Sequence, residues 1–106
     1  MKVIWSDFAS DILIDIYKYY KKVAGIAIAR KIKSNIFAST NQLKKHPISG
    51  QIEDALRELG EDHRYLVEGN YKIVCKPVKE GILITDVFDS RQDPEKINKT
   101  RTKPSR

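Results

Sequence analysis

Up to about residue 45 the apolar residues of this chain recur every three or four positions, and from residue 64 onward every second position. Helical side chains repeat at 3.6 residues and strand side chains at 2.0, so the change predicts helices first and a sheet afterwards. Segregated helices and strands specify an α+β domain, because a parallel βαβ fold would alternate them.

In the helical half, Ser6 occupies the position of an N-cap, with Asp7 in the first turn where a carboxylate suits the helix dipole. Phe8, Ile12, Ile16, Tyr19 or Tyr20 and Val23 then form a stripe that Ala9 and Leu13 widen. Gly25 ends this helix. A second stripe of Ile28 or Ala29, Ile32, Ile36, Ser39 and Leu43 predicts a helix running to Lys44-Lys45-His46, where Pro47 stops it. Two such helices with a short joint read as an antiparallel hairpin.

Val3-Ile4-Trp5 is expected as an edge strand or lead-in, 47–50 as a loop, and 53–62 as a helical turn or strand lead-in. Residues 64–68, 71–76 and 82–89 read as three strands joined by short turns at Gly69-Asn70 and Lys79-Glu80-Gly81, and therefore antiparallel. The expected architecture is α+β, with an N-terminal antiparallel helical hairpin packed on one face of a small, mainly antiparallel β-sheet. Alternation places Tyr71, Ile73 and Cys75 beneath the helices. It places Lys72, Val74 and Lys76 on an exposed face, with Arg64 and Arg91 at its margins. Asp93-Pro94 opens a last short turn. Residues 98–106 carry no apolar side chain and are expected as a basic, flexible tail beyond a 1–97 domain.

Composition narrows the class further. The 106 residues suffice for one domain and one modest core. No apolar run is long enough to span a bilayer, and Asp7 arrives before a signal-peptide core could form, so a cytoplasmic protein is expected. The single cysteine, Cys75, excludes an internal disulfide and a Cys-based zinc site. The net charge of +6 is unevenly spread: residues 16–52 hold eight Lys or Arg and no acid, while 53–63 hold five acids and one Arg. That segregation points either to an acidic or nucleic-acid partner or to a solvated helix face with a basic tail.

The sequence holds no phosphate-binding glycine loop, nucleophile elbow or spaced metal set, so neither cofactor nor metal is expected. His46 and His63 are expected at the surface, and Cys75 as a small buried hydrophobe. Arg64, Lys72, Lys76 and Arg91 are the candidate cations for holding phosphate, against the plainer reading of a polar sheet face neutralised by Asp86 and Asp89. Lys44 and Lys45 are further candidates for phosphate or partner contact. Tyr17, Tyr19, Tyr20, Tyr65 and Tyr71 are read mainly as core or rim packing, with base stacking the alternative.

Several pieces, taken in order, resemble the RelE/ParE superfamily of toxins from bacterial type II toxin–antitoxin modules. They are Trp5-Ser6 with Ala9, Asp11-Ile12 and Ile16-Tyr17; Leu43, His46-Pro47 and Gly50; Leu56-Arg57-Glu58-Leu59; the run from Arg64 through Ile73; and Val87 through Pro94. The resemblance covers residues 3–97 and rests on the ordered set rather than on one box. It implies a toxin neutralised in a hetero-oligomer by an antitoxin, whose acidic or disordered segment would lie on the basic hairpin or the open sheet face. Two mechanisms are implied. RelE-like members enter the ribosome and cleave mRNA, which would make Arg64, Lys72 and Arg91 catalytic and the chain an endoribonuclease. ParE-like members poison DNA gyrase without catalysis. RelE-like members often carry a Tyr or His near the C-terminus, and none follows Arg91, so the gyrase reading stands first. A non-toxic binding or co-repressor member is the third reading.

Overall fold

The computed structural model describes residues 1–90. Strand β1 (Val3–Trp5) leads into helix α1 (Asp7–Ala24), followed by α2 (Ile26–Ser39) and a 3₁₀ turn at Thr40–Lys44. The short strand β2 (Gln51–Ile52) is followed by a second 3₁₀ segment at Asp54–Leu59. Then come β3 (Arg64–Glu68), β4 (Tyr71–Val78) and β5 (Gly81–Asp89). The expected turn after Asp93, the tail and Arg91 lie outside the described residues.

Local chemistry accounts for the helix limits. The Ser6 hydroxyl accepts a hydrogen bond from the Ala9 amide at 3.0 Å, capping α1 as expected. Asp7 lies in the first turn of α1 and Lys21 and Lys22 in its last, each favourable to the dipole. Gly25 alone joins the helices, at φ +95°, a conformation that costs little only without a Cβ. Helix α2 ends at Ser39, earlier than the stripe predicts. The hydroxyls of Ser39 and Thr40 donate to the Ile36 and Phe37 carbonyls at 2.6 and 2.7 Å, and the chain tightens into 3₁₀ geometry beyond them. Leu43 nevertheless remains buried, as its place in the stripe requires.

The sheet order is β1-β5-β4-β3-β2, with β1 parallel to β5 and every other pair antiparallel. The strands from 64 onward lie where the alternation places them, with a register irregularity between β4 and β5 at Val74/Cys75, and Gly69 supplies the positive φ of the β3–β4 turn. β2 was not foreseen; two residues carry too little periodicity to signal a strand.

One face of the sheet packs against the helical hairpin. Ala9, Ile12, Leu13, Ile36 and Leu43 meet Leu66, Ile73, Cys75, Ile82, Ile84 and Val87 in a single core, with Trp5, Phe8, Ile16 and Tyr71 at its border. Between the two candidates in the second stripe, Ala29 is buried and Ile28 exposed. Val23, at the end of the first stripe, also faces solvent.

The opposite face is covered too, and here the sequence reading is corrected. Leu56, from the second 3₁₀ segment, packs on Val74 and Phe88, with Tyr65 beside them. The acidic stretch therefore forms a strap across the sheet where an open basic face was expected. Leu56 at position 53–62 is the apolar anchor that makes this possible, since burying a leucine contributes roughly 1.5–3 kcal/mol.

At the other end of the sheet, Gly81 seats β5 against the chain start. The Ile82 amide donates to the Lys2 carbonyl at 2.9 Å, and a Cβ at Gly81 would collide with that same carbonyl. Gly81→Ala is expected to lower unfolding stability by roughly 1–3 kcal/mol, measured by urea denaturation, with an unchanged m-value if the chain still folds as one unit.

Candidate functional site

Three of the four candidate cations, Arg64, Lys72 and Lys76, lie on β3 and β4, and the strand register sorts them. Arg64 is paired across the ladder with Cys75, and Val67 with Lys72. Paired residues project to the same face, so Arg64 starts on the helix-facing side and Lys72 and Lys76 on the strap side. Arg64 and Lys72 therefore leave the sheet on different faces.

Each of these cations is already engaged. Lys72 Nζ lies 3.1 Å from Glu53 Oε2, an ion pair lacking the alignment of a hydrogen bond, and 4.1 Å from the centroid of the Tyr65 ring. Lys76 Nζ lies 3.2 Å from Glu61 Oε2. The Arg64 guanidinium donates to the Gly50 carbonyl at 3.2 Å and sits 3.6 Å from Asp62 Oδ1. All three acids come from one segment, residues 53–62, or its immediate border with β2.

The pairs differ in strength. The Glu53 side chain is only 2% exposed, whereas Glu61 and Asp62 are 47% and 54% exposed. Half-exposed pairs contribute about 0–1 kcal/mol each. A buried pair gains more from Coulomb attraction but loses several kcal/mol in desolvation, so its net contribution is small and its main effect is to fix geometry. The strap is held down chiefly by Leu56, and the carboxylates determine which cations it covers.

The ends of the strap are joined by a backbone hydrogen bond from the Glu53 amide to the His63 carbonyl, 2.9 Å long. Gly60 at φ +65° and Asp62 at φ +58° turn the chain back towards β3. Compact loops closed at the neck in this way are often functional.

His63 is buried at 7% exposure, against the surface position expected for it, and its Nδ1 has no hydrogen-bond partner. The strap closes over it. Burial is the largest influence and pushes its pKa below 6.5. Lys76 acts in the same direction, while Glu61, Glu53 and Asp62 pull the other way. His46 is exposed, as expected. Cys75 is buried under the helices, and burial pushes its thiol up to about 11 against the opposing influence of Arg64, leaving it protonated and unreactive near neutrality.

Lys44 and Lys45 are exposed at the end of the first 3₁₀ turn, away from the β3–β4 cations in sequence and on a different element. The hairpin retains an exposed basic set, Lys18, Lys21, Lys22, Arg30, Lys31 and Lys33, alongside exposed Tyr19, Ile28 and Phe37. A cleft of about 220 Å³ opens between the hairpin and the β3–β4 turn, lined by Tyr20, Ile32, Asn35, Ile36 and residues 68–71. Among the described residues no group of three or more His, Cys, Asp or Glu is placed to hold a metal ion, and no helix is long and apolar enough to cross a membrane.

The order of two helices and a five-stranded sheet can now be compared with known proteins. The family described as the ParE toxin of the type II toxin–antitoxin system, parDE, matches residues 3–94. This chain belongs to the ParE toxin family. Among solved structures, one described as the chromosomal ParDE TA system from P. aeruginosa aligns with a TM-score of 0.70 and 19% identity. The alignment covers 84% of this chain and 95% of that one. At that identity the likeness is one of fold. No curated protein matches the sequence.

Sequence reasoning missed Glu53, Glu61, Asp62 and His63 as members of the site. The signal was present as the acid-rich run, which was expected as a helical turn or strand lead-in, with no internal partner for its carboxylates. Because folded His63 favours the neutral form while the unfolded chain takes a proton near 6.5, stability falls as pH drops through that value. Thermal unfolding of this ParE-family chain is expected to move to lower temperature between about pH 7.5 and 5.5. In His63→Gln that slope should flatten; an unchanged slope would rule out His63 as its source.

Proposed function

We propose that this ParE-family toxin inhibits growth by binding DNA gyrase as a protein partner, without catalysing RNA cleavage. The supporting observation is the disposition of the three candidate cations. Arg64 and Lys72 issue from opposite faces of the sheet, and Lys72 and Lys76 are paired with strap carboxylates. Metal-free RNA cleavage needs cations converging on one phosphate to stabilise the extra charge of its transition state. The engagement of Lys72 and Lys76 by the strap acids favours the non-catalytic reading.

The antitoxin is proposed to lie along the helical hairpin. Six exposed cations on α1 and α2 complement an acidic segment, and exposed Tyr19, Ile28 and Phe37 provide apolar area for its hydrophobic side chains. The strap's cover over the other sheet face supports this placement. The complex is proposed to form in the cytoplasm, where gyrase is found.

The decisive experiment is pulse-labelling of DNA and protein synthesis within minutes of inducing the chain alone. DNA synthesis is expected to fall first, and Lys72→Ala,Arg91→Ala should remain as toxic as the unchanged protein. An early fall in translation that this double variant abolishes would instead establish the ribonuclease reading, with Arg64, Lys72 and Arg91 as its catalytic set. Unchanged growth with soluble protein accumulating would establish the non-toxic binding reading.

A further inference from the structure

The strap supplies a carboxylate to each of three sheet cations from one short, neck-closed segment. Lys72 and Lys76 project to one face, roughly 13 Å apart along β4, and each ammonium meets a different strap acid. Tyr65 lies against Lys72 on the same face, the aromatic and cationic combination on which a single strand can stack and pair. Asp62 holds Arg64 where the strap returns to β3.

We propose that the strap is an intramolecular competitor for phosphate. It holds Lys72 and Lys76 on the strap face, and Arg64 at the border where the strap returns to β3, against the chain's own carboxylates, and so closes the strap face to the phosphodiester backbone of single-stranded nucleic acid. A carboxylate and a phosphate oxygen compete for the same ammonium, and a covalently tethered carboxylate has the advantage of high effective concentration. Leu56, seated on Val74 and Phe88, keeps the acids in place independently of the ion pairs themselves. The inference concerns what the sheet excludes, so it stands or falls separately from the gyrase reading.

Charge alone would be the competing explanation, because removing any acid makes a basic chain more attractive to RNA. The test therefore uses a charge-matched control. Glu61→Gln,Asp62→Asn removes two half-exposed strap acids, and asparagine tolerates the positive φ found at Asp62. Asp7→Asn,Asp11→Asn removes two exposed acids from α1. Binding of a labelled single-stranded RNA to each full chain would be followed by fluorescence anisotropy between roughly 50 and 200 mM salt.

The strap variant is expected to bind roughly three- to tenfold tighter than the charge-matched control, with a salt slope steeper by about one unit. Adding Lys76→Ala to the strap variant should remove the gain. Equal affinities in the two double variants, or a gain that survives Lys76→Ala, overturns the proposal. So does a gain seen for polyglutamate but not for RNA. Glu61→Gln alone provides a milder variant, expected to show part of the same gain; its absence alongside a folded circular dichroism spectrum also counts against the strap.

Discussion

Seating Leu56 on Val74 and Phe88 is what turns a two-layer domain into one with both sheet faces occupied. The hairpin and sheet already form a core without it. On the second face, however, Val74 and Phe88 would be exposed beside Lys72 and Lys76, a surface at once apolar and basic. Covering the apolar pair with one leucine brings the neighbouring acids of the strap within reach of the lysines. The packing supplies the free energy and the charges supply the registration, since the half-exposed pairs contribute little and the buried one roughly breaks even.

That division has a consequence for Glu53. Its carboxylate is almost wholly buried, so it needs Lys72 more than Lys72, at 20% exposure and with Tyr65 beside it, needs the carboxylate. Glu53 also donates its amide to the His63 carbonyl, so the same residue closes the strap's neck and fixes the first ion pair. His63, whose carbonyl accepts that bond, is itself buried. One residue thus links the backbone path, the electrostatics of β4 and the ionisation of the histidine.

For a ParE-family toxin this leaves two surfaces of contrasting character. The strap side is internally neutralised, with short ion pairs and an apolar anchor. The hairpin side keeps its cations and several large apolar side chains in solvent. The hairpin exposes six cations against the three acids Asp7, Asp11 and Asp15 near the start of α1, and exposed apolar area beside a net basic surface suits an interaction, whereas a self-paired surface offers a partner little. The chain's charge segregation is therefore resolved internally on one side and left for a partner on the other.

Much of the fold was legible in the residues. Ser6 as a cap, Gly25 as a break, Gly69-Asn70 as a hairpin turn and the placing of Ile73 and Cys75 under the helices all follow from local geometry and side-chain period. These features depend on neighbours a few residues away. The end of α2 was missed because hydroxyls at Ser39 and Thr40 outweighed a continuing apolar stripe, and β2 because two residues define no period. What only the tertiary structure decided is where the acid-rich run goes. Its charge shows in the sequence, but pairing Glu53 with Lys72 and Glu61 with Lys76 depends on the loop folding back over β4. Likewise, alternation specifies faces within a strand, while register between strands pairs Arg64 with Cys75 and so puts it on the face away from Lys72. Local chemistry specified the elements; long-range burial chose which charges meet.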